Sequence, residues 1–308
     1  MIERVRAFVR ERFAEGPATI SLRDADRYGY TWEEHERLKL RGSPHFAALK
    51  TGLKIGRRFS KGIDLGWQTG FDSGRSLDYV YENRAHGFSR LGRFIDKNYL
   101  NSIGWRGIRQ RKTNLEKALR EVIGELQADG RSIHILDVAA GAGRYVLETM
   151  RALPEVAMSA KLRDNEQHNV EAARALVGGF GLANVEIERG DAFDREAIAA
   201  LRPRATIAIV SGLYELFPSN DAVLLSLGGL AAALEPGGYL IYTNQPWHPQ
   251  LEFIARVLRN REGQRWIMRR RTTAEIDELV HISGFEKRAM EIDRWGMFTV
   301  SVARRALS

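Results

Sequence analysis

Ile135-Leu136-Asp137-Val138-Ala139-Ala140-Gly141-Ala142-Gly143-Arg144 decides the fold. A short apolar run ends in an acid, and two glycines then lead into an amphipathic segment. Apolar β-branched residues closed by a turn read as a buried strand, and the helical spacing after Gly143 reads as a helix. Glycine at the junction lets the backbone take angles barred to other residues and approach a ligand closely. In open α/β sheets ligands lie beyond the carboxyl ends of the strands, which is where this turn stands. On its own the turn does not choose a ligand. A dinucleotide fingerprint needs a third glycine where Val146 stands, and a phosphate-binding P-loop needs Gly-Lys-Ser/Thr, which is missing.

Downstream, short apolar runs alternate with amphipathic helices. Strands are expected at 134–138, 156–162, 185–188, 205–210 and 239–243, with helices at 143–152, 165–177, 220–234, 249–259 and 273–283. Two closing strands at 285–292 and 296–304 form a hairpin on the sheet edge. This alternation predicts a doubly wound, mostly parallel α/β sheet of seven strands with a C-terminal antiparallel hairpin. Upstream, a helix over 105–128 places Ile108, Leu115, Leu119, Val122, Ile123 and Leu126 on one side and closes at Gly130. Residues 41–107 hold eleven glycines interleaved with aromatics and arginines, a composition of short helices and loops rather than disorder. A further helix starts at Thr31, where Thr-x-x-Glu makes a capping box with Glu34. Near the N-terminus, Ile2, Val5, Val9 and Phe13 fall at helical spacing between charges, the make-up of a helix that lies on a membrane surface or on its own domain. Two regions result: 1–128, helical, and 129–308, the α/β domain.

Charge follows the same division. Residues 1–130 carry 25 of the 47 basic and 17 of the 39 acidic residues, which leaves 22 of each beyond, so the whole formal charge of +8 sits in the first region. The basic residues there are scattered singly rather than in dense patches, which speaks against nucleic acid and for an anionic or amphipathic small partner. With no cysteine, disulfides, Cys-based zinc sites and Cys nucleophiles are excluded; the seven histidines make no metal-ligand pair, so no metal is expected. The first residues lack an apolar signal region, and no stretch of about 18 apolar residues occurs, which predicts a cytoplasmic protein without a transmembrane segment. Nothing in the sequence specifies an oligomer.

Further motifs arrive in order. Asp164 ends the second strand, 21 residues after Gly143, with Asn165 beside it. Gly190-Asp191-Ala192-Phe193 follows the third strand, Ser211-Gly212-Leu213-Tyr214-Glu215 the fourth, and Leu234-Glu-Pro-Gly237-Gly238 precedes the fifth; Ser283-Gly284-Phe285 comes near the end. Together these resemble the class I S-adenosylmethionine-dependent methyltransferases over 131–308. Tyr99-Leu-Asn-Ser-Ile-Gly104-Trp105-Arg106-Gly-Ile-Arg109-Gln-Arg111-Lys112 is similar to the N-terminal part of a little-characterised bacterial group of putative methyltransferases.

The resemblance implies a Rossmann-like fold and S-adenosyl-L-methionine as cofactor. It implies that Ala139, Gly141 and Gly143 hold the methionine end, that Asp137 reaches its ammonium, that Asp164 with Asn165 binds the ribose, and that Asp191, Ala192 and Phe193 flank adenine, with Ser211 near the reacting group. The N-terminal region would be a lid, so Tyr79, Tyr81, Tyr99, Trp105, Arg106 and Arg109 are the candidate lid and substrate residues, and one of the arginines would pair with the cofactor carboxylate. Tyr214 and His248 are the catalytic candidates, Tyr214 by orienting an acceptor or facing the sulfonium. The fourth-strand loop lacks the Asn/Asp-Pro-Pro-Tyr of nucleobase amine methylation, and Leu216 stands where many small-molecule relatives place His. Four functions remain open: methylation of a small or lipid-like molecule, intramolecular cyclisation of the cofactor to azetidine-2-carboxylate with release of methylthioadenosine, nucleic-acid methylation or binding, and cofactor binding without catalysis.

Overall fold

A computed structural model describes residues 30–40 and 42–307. The amphipathic stretch 2–14 lies outside the described residues. Seven strands form one sheet in the order β3-β2-β1-β4-β5-β7-β6, where β1 is Ile133–Asp137, β2 Met158–Asp164, β3 Val185–Arg189, β4 Ala205–Val210, β5 Leu234–Asn244, β6 Phe285–Ile292 and β7 Thr299–Arg305. The first five run parallel, and β7 pairs antiparallel with both β5 and β6. The chain order reverses between β1 and β4, which opens a crevice at their carboxyl ends. The expected seven-stranded mixed sheet is what the chain forms. The fifth strand starts earlier than the apolar pattern implied. Leu234 already pairs with Ala205, and an irregularity around Gly237 (φ 68°) separates that pair from Ile207–Tyr239.

Each face of the sheet has its own core. On one, helix α6 (Ile103–Ala128) lays Leu115, Leu119, Val122, Ile123 and Leu126 against Ile133, Ile135 and Ile241. On the other, Leu136, Ala208, Val210 and Leu240 meet helices α10 (Asn220–Ala233) and α12 (Thr273–Ile282). Helix α6 therefore covers the sheet, and the expected boundary at 128 falls after an element that packs with the α/β domain.

The glycine-rich stretch folds into short helices: α2 (Pro44–Gly56), α3 (Lys61–Thr69), α4 (Gly74–Glu82) and α5 (Arg90–Leu100), after α1 (Tyr30–Lys39). Serine starts three of them: the Oγ atoms of Ser60, Ser73 and Ser89 accept from the backbone N–H of Ile63, Ser76 and Gly92. Buried Asp96 ties them together, accepting from Ser60 Oγ and Gly62 N (2.5 and 2.9 Å), the Tyr79 hydroxyl, and His86 N (2.8 Å). A third core joins these helices to α11 (Leu251–Val257) and to Trp266, Met268, Met297 and Phe298. The connection is also made by backbone: Phe71 N donates to the Arg259 carbonyl at 2.9 Å, and Arg261 N to Asp72 at 2.7 Å.

Candidate active site

The crevice between β1 and β4 is floored by the turn that opens helix α7 (Arg144–Ala152). Gly141 and Gly143 both take left-handed angles (φ 58° and 69°), and a Cβ on Gly143 would lie 2.4 Å from Leu162 Cδ1. Asp164 supports the turn from β2. One carboxylate oxygen accepts from Gly141 N (2.8 Å), the other from Glu166 N and Asn169 Nδ2 (both 2.9 Å). Ala139, Gly141, Gly143, Asp164 and Ser211 line this cleft together with Tyr81.

Other expected cofactor residues stand differently. Asp137 does not line the cleft. Fully buried, it accepts the Tyr145 hydroxyl at 2.5 Å and Ala139 N at 3.2 Å, so its carboxylate orients the turn from behind. Burial without a cation raises its pKa to about 7. Asn165 is exposed and offers its carbonyl to Arg189. Ala192 is buried in the core, and exposed Asp191 accepts from Phe193 N at 2.9 Å. Phe193 packs edge-on against Phe217 (4.4 Å between centroids), whose ring lies 5.9 Å from the guanidinium of Arg261, a cleft residue; this pair stands at the rim. Sequence reasoning missed Asn169. It is buried in the cleft wall, its Oδ1 has no donor, and that oxygen faces Gly74, where a Cβ would come within 2.4 Å. Helix α4 thus lies directly over the glycine turn, pinned there by Asp78, which pairs with Arg144 through two contacts of 2.5 and 2.9 Å.

Beside the cleft lies a second cavity of about 190 Å³. Its walls are mostly apolar and include the aromatic rings of Tyr99, Trp105, Trp266, Phe253 and Phe298. Trp105 stacks 6.4 Å from Trp266 and meets Tyr99 edge-on at 5.7 Å. The two spaces share Asp72, Leu77, Arg111, Gly212 and Leu216 in their linings. Asp72 is pushed up to about 6 by burial.

Arginine placement corrects the lid assignment. Arg106 lies over the Trp295 ring (5.0 Å), and Arg109 donates to the Leu100 carbonyl at 2.8 Å; neither lines the cleft or the cavity. Gly104, Trp105, Ile108 and Arg111 do, being one helical face. Arg111 is 2% exposed, reaches Glu215 at 3.5 Å and the Phe298 ring at 5.3 Å, and its Nη2 sits 2.9 Å from where a Gly212 Cβ would be. Tyr79 serves the Asp96 knot and lines neither space.

The catalytic candidates separate. Tyr214 is turned into the core, its hydroxyl donating to Ser226 at 3.0 Å, and it lines neither space; the loop bends its ring away from the crevice. His248 is not a surface histidine. It is 6% exposed, lines the cavity, and burial lowers its pKa to about 4. Its Nδ1 accepts from Gln250 N at 3.0 Å, so the neutral ring carries its proton on Nε2. Among the described residues there is no cluster of three metal-capable side chains, and no helix is long and apolar enough to cross a membrane.

A family model described as a putative methyltransferase matches residues 5–305. The Escherichia coli (strain K12) protein named Uncharacterized protein YnbC is 51% identical over 259 residues, 83% of this chain and 44% of that protein; the chain therefore spans less than half of that relative's length. Among solved structures, one described as a possible exported protein from Bordetella parapertussis matches with a TM-score of 0.64 at 17% identity, covering 94% of this chain and 99% of that one. Magnesium protoporphyrin IX methyltransferase from Synechocystis PCC 6803, solved with bound SAH, matches with a TM-score of 0.51 at 16% identity, covering 77% and 98%. At these identities both structures speak to the fold.

Proposed function

The chain belongs to this family of putative methyltransferases, and from that premise we propose that it transfers a methyl group from S-adenosylmethionine to a small or lipid-like molecule seated in the aromatic cavity. The observation that carries the reading is the junction of the two spaces at Gly212 and Arg111, which would let an acceptor in the cavity meet a cofactor in the cleft.

The cleft suits the cofactor. The left-handed glycines bring backbone close to a ligand. Asp164 has three of its roughly four acceptor sites filled and keeps one for a ribose hydroxyl. The orphaned Asn169 Oδ1 accepts the other. The Phe193–Phe217 pair at the rim offers adenine a flat apolar edge. When bound, the cofactor supplies an electrophilic methyl on a sulfonium.

The protein's own work is then positioning and exclusion of water. Helix α4, held over the turn by Asp78–Arg144, acts as the lid with Tyr81, while Tyr99 and Trp105 hold the acceptor. His248 donates from Nε2 rather than abstracting a proton. Cyclisation of the cofactor has no use for a second cavity furnished with polar groups, and a cavity of about 190 Å³ walled by Trp105, Trp266 and Phe298 is small for a nucleic-acid strand; both observations favour transfer to a small acceptor.

The test is incubation with S-adenosylmethionine followed by mass spectrometry, together with equilibrium binding of S-adenosylhomocysteine. Binding should weaken at least about tenfold in Asp164→Ala, in line with the loss of a charged hydrogen bond. Methylthioadenosine formed from cofactor alone would favour cyclisation, and unchanged binding by the variant would sink the site assignment.

A further inference from the structure

The cavity's polar groups specify more than a small apolar guest. Buried polar atoms without partners are costly, so their presence in a native wall points to what the ligand must bring. Arg111 Nε, Gln245 Nε2 and Trp266 Nε1 are buried donors with no partner. His248 adds an Nε2–H, which lies 3.1 Å from where a Cβ on Gly104 would stand, on the cavity face of α6. Against these donors stands one orphan acceptor, Glu215 Oε2. Arg111, Gln245 and Glu215 are 2%, 2% and 7% exposed, and all line the same space.

Arg111 is charged and has partners in the Tyr81 hydroxyl and Glu215, while its Nε has none. Its contact with Glu215, at 3.5 Å, is at the limit of a hydrogen bond. The guanidinium stands over Gly212, the point where cavity and cleft meet. A planar fork of donors is the group suited to a carboxylate.

Resting on the methyltransferase reading, we infer that the acceptor is an apolar, ring-bearing carboxylic acid whose carboxylate is held by Arg111 at the junction and is itself the methylated group. A carboxylate oxygen attacks the methyl carbon with its own electron pair as the sulfur–methyl bond breaks and that pair returns to sulfur. The products are a methyl ester and S-adenosylhomocysteine. One negative and one positive charge cancel, and no proton is released. This balance agrees with a site whose imidazole is a donor and whose Tyr214 is turned away: an ionised carboxylate needs no base. Glu215 Oε2 and Gln245 Nε2 suit a further hydroxyl or amide on the same ligand, and the Trp105–Trp266 wall suits its rings.

The test uses the full chain saturated with S-adenosylhomocysteine, titrated calorimetrically with 2-naphthoate, 2-naphthamide and 2-naphthylmethylamine. Naphthoate should bind at least about tenfold more tightly than the other two, and Arg111→Gln should erase that preference while the variant still binds S-adenosylhomocysteine. Arg111→Lys, a milder change that keeps the charge but loses the planar fork, should weaken naphthoate severalfold and covers the case in which the glutamine variant does not fold. With S-adenosylmethionine supplied, mass spectrometry should find an alkali-labile methyl ester of naphthoate. The inference is overturned if the amine binds as well as the acid, if no naphthoate binds, if the amine is methylated instead, or if Arg111→Gln weakens only S-adenosylhomocysteine. Each of these leaves the methyltransferase reading standing, whereas failure to bind S-adenosylhomocysteine at all removes that reading first.

Discussion

Arg271 holds the carbonyl of Tyr214. Its Nη1 donates there at 2.6 Å, Nη2 reaches the Phe217 carbonyl at 2.8 Å, and Nε donates to Asn220 Oδ1 at 2.8 Å, all in a side chain 1% exposed. One guanidinium thus shapes the loop after β4, sending the Tyr214 ring into the core while Gly212, Glu215 and Leu216 line the cavity. Lysine has no fork and cannot satisfy this set of oxygens. Arg271→Lys should lower the unfolding free energy by about 2–4 kcal/mol, the scale of a few buried groups losing their donors, read from urea denaturation. Wild-type stability would refute the clamp.

The two turn glycines should respond unequally. Alanine at either position must adopt left-handed backbone angles, costing about 1–2 kcal/mol. At Gly143 the new methyl also meets Leu162 Cδ1 at 2.4 Å, whereas at Gly141 the nearest atom is Gly74 Cα at 3.5 Å. Gly143→Ala should therefore melt lower than Gly141→Ala. Equal melting temperatures would show that Leu162 moves aside without cost.

Asp137 gives the stability a pH signature. Its folded pKa of about 7 lies above the ordinary 3.8, so the folded state binds the proton more tightly. The resulting stabilisation is present at acid pH and lost as pH rises through about 7. Asp137→Asn has no such proton, so its melting temperature relative to wild type should improve between pH 5 and pH 8. A pH-independent difference would mean that the buried carboxylate is ionised throughout.

His248 behaves in the opposite sense. With its folded pKa near 4 against 6.5, it favours folding above about 6.5, and that contribution is lost as pH falls toward 4. Imidazole resonances of His248 should stay those of the neutral Nε2–H form from pH 8 down to 5, in contrast to an exposed histidine. Titration near 6.5 would show that the ring is hydrated and free to act as a base.

Much of the framework was legible because periodicity and turn chemistry are local. β4 falls at 205–210 as expected, and the apolar side of the 105–128 helix is the buried side. The choice among Arg106, Arg109 and Arg111 was not legible. Near-neighbour arginines on one helix point in different directions, and which direction faces the crevice is set by packing against Met297 and Phe298. Tyr214 was misplaced for a related reason: the loop is bent by Arg271, 57 residues away in sequence. Asn169 was overlooked because a single amide at the start of a helix looks like any other polar surface residue; only the approach of Gly74 makes it a cleft wall. The short N-terminal helices carried a usable signal in Ser60, Ser73 and Ser89, each three residues before the N–H it caps.

The strand order has a consequence for how this chain is made. β7 sits between β5 and β6, and its Val300 and Val302 belong to one core while Ala303 belongs to the other. During synthesis the edge of β5 therefore stays open, with its backbone groups unsatisfied, until residues 299–305 have been translated. A ribosome stalled before that point would present an unpaired apolar strand, the kind of surface that chaperones bind and that drives nascent chains to aggregate.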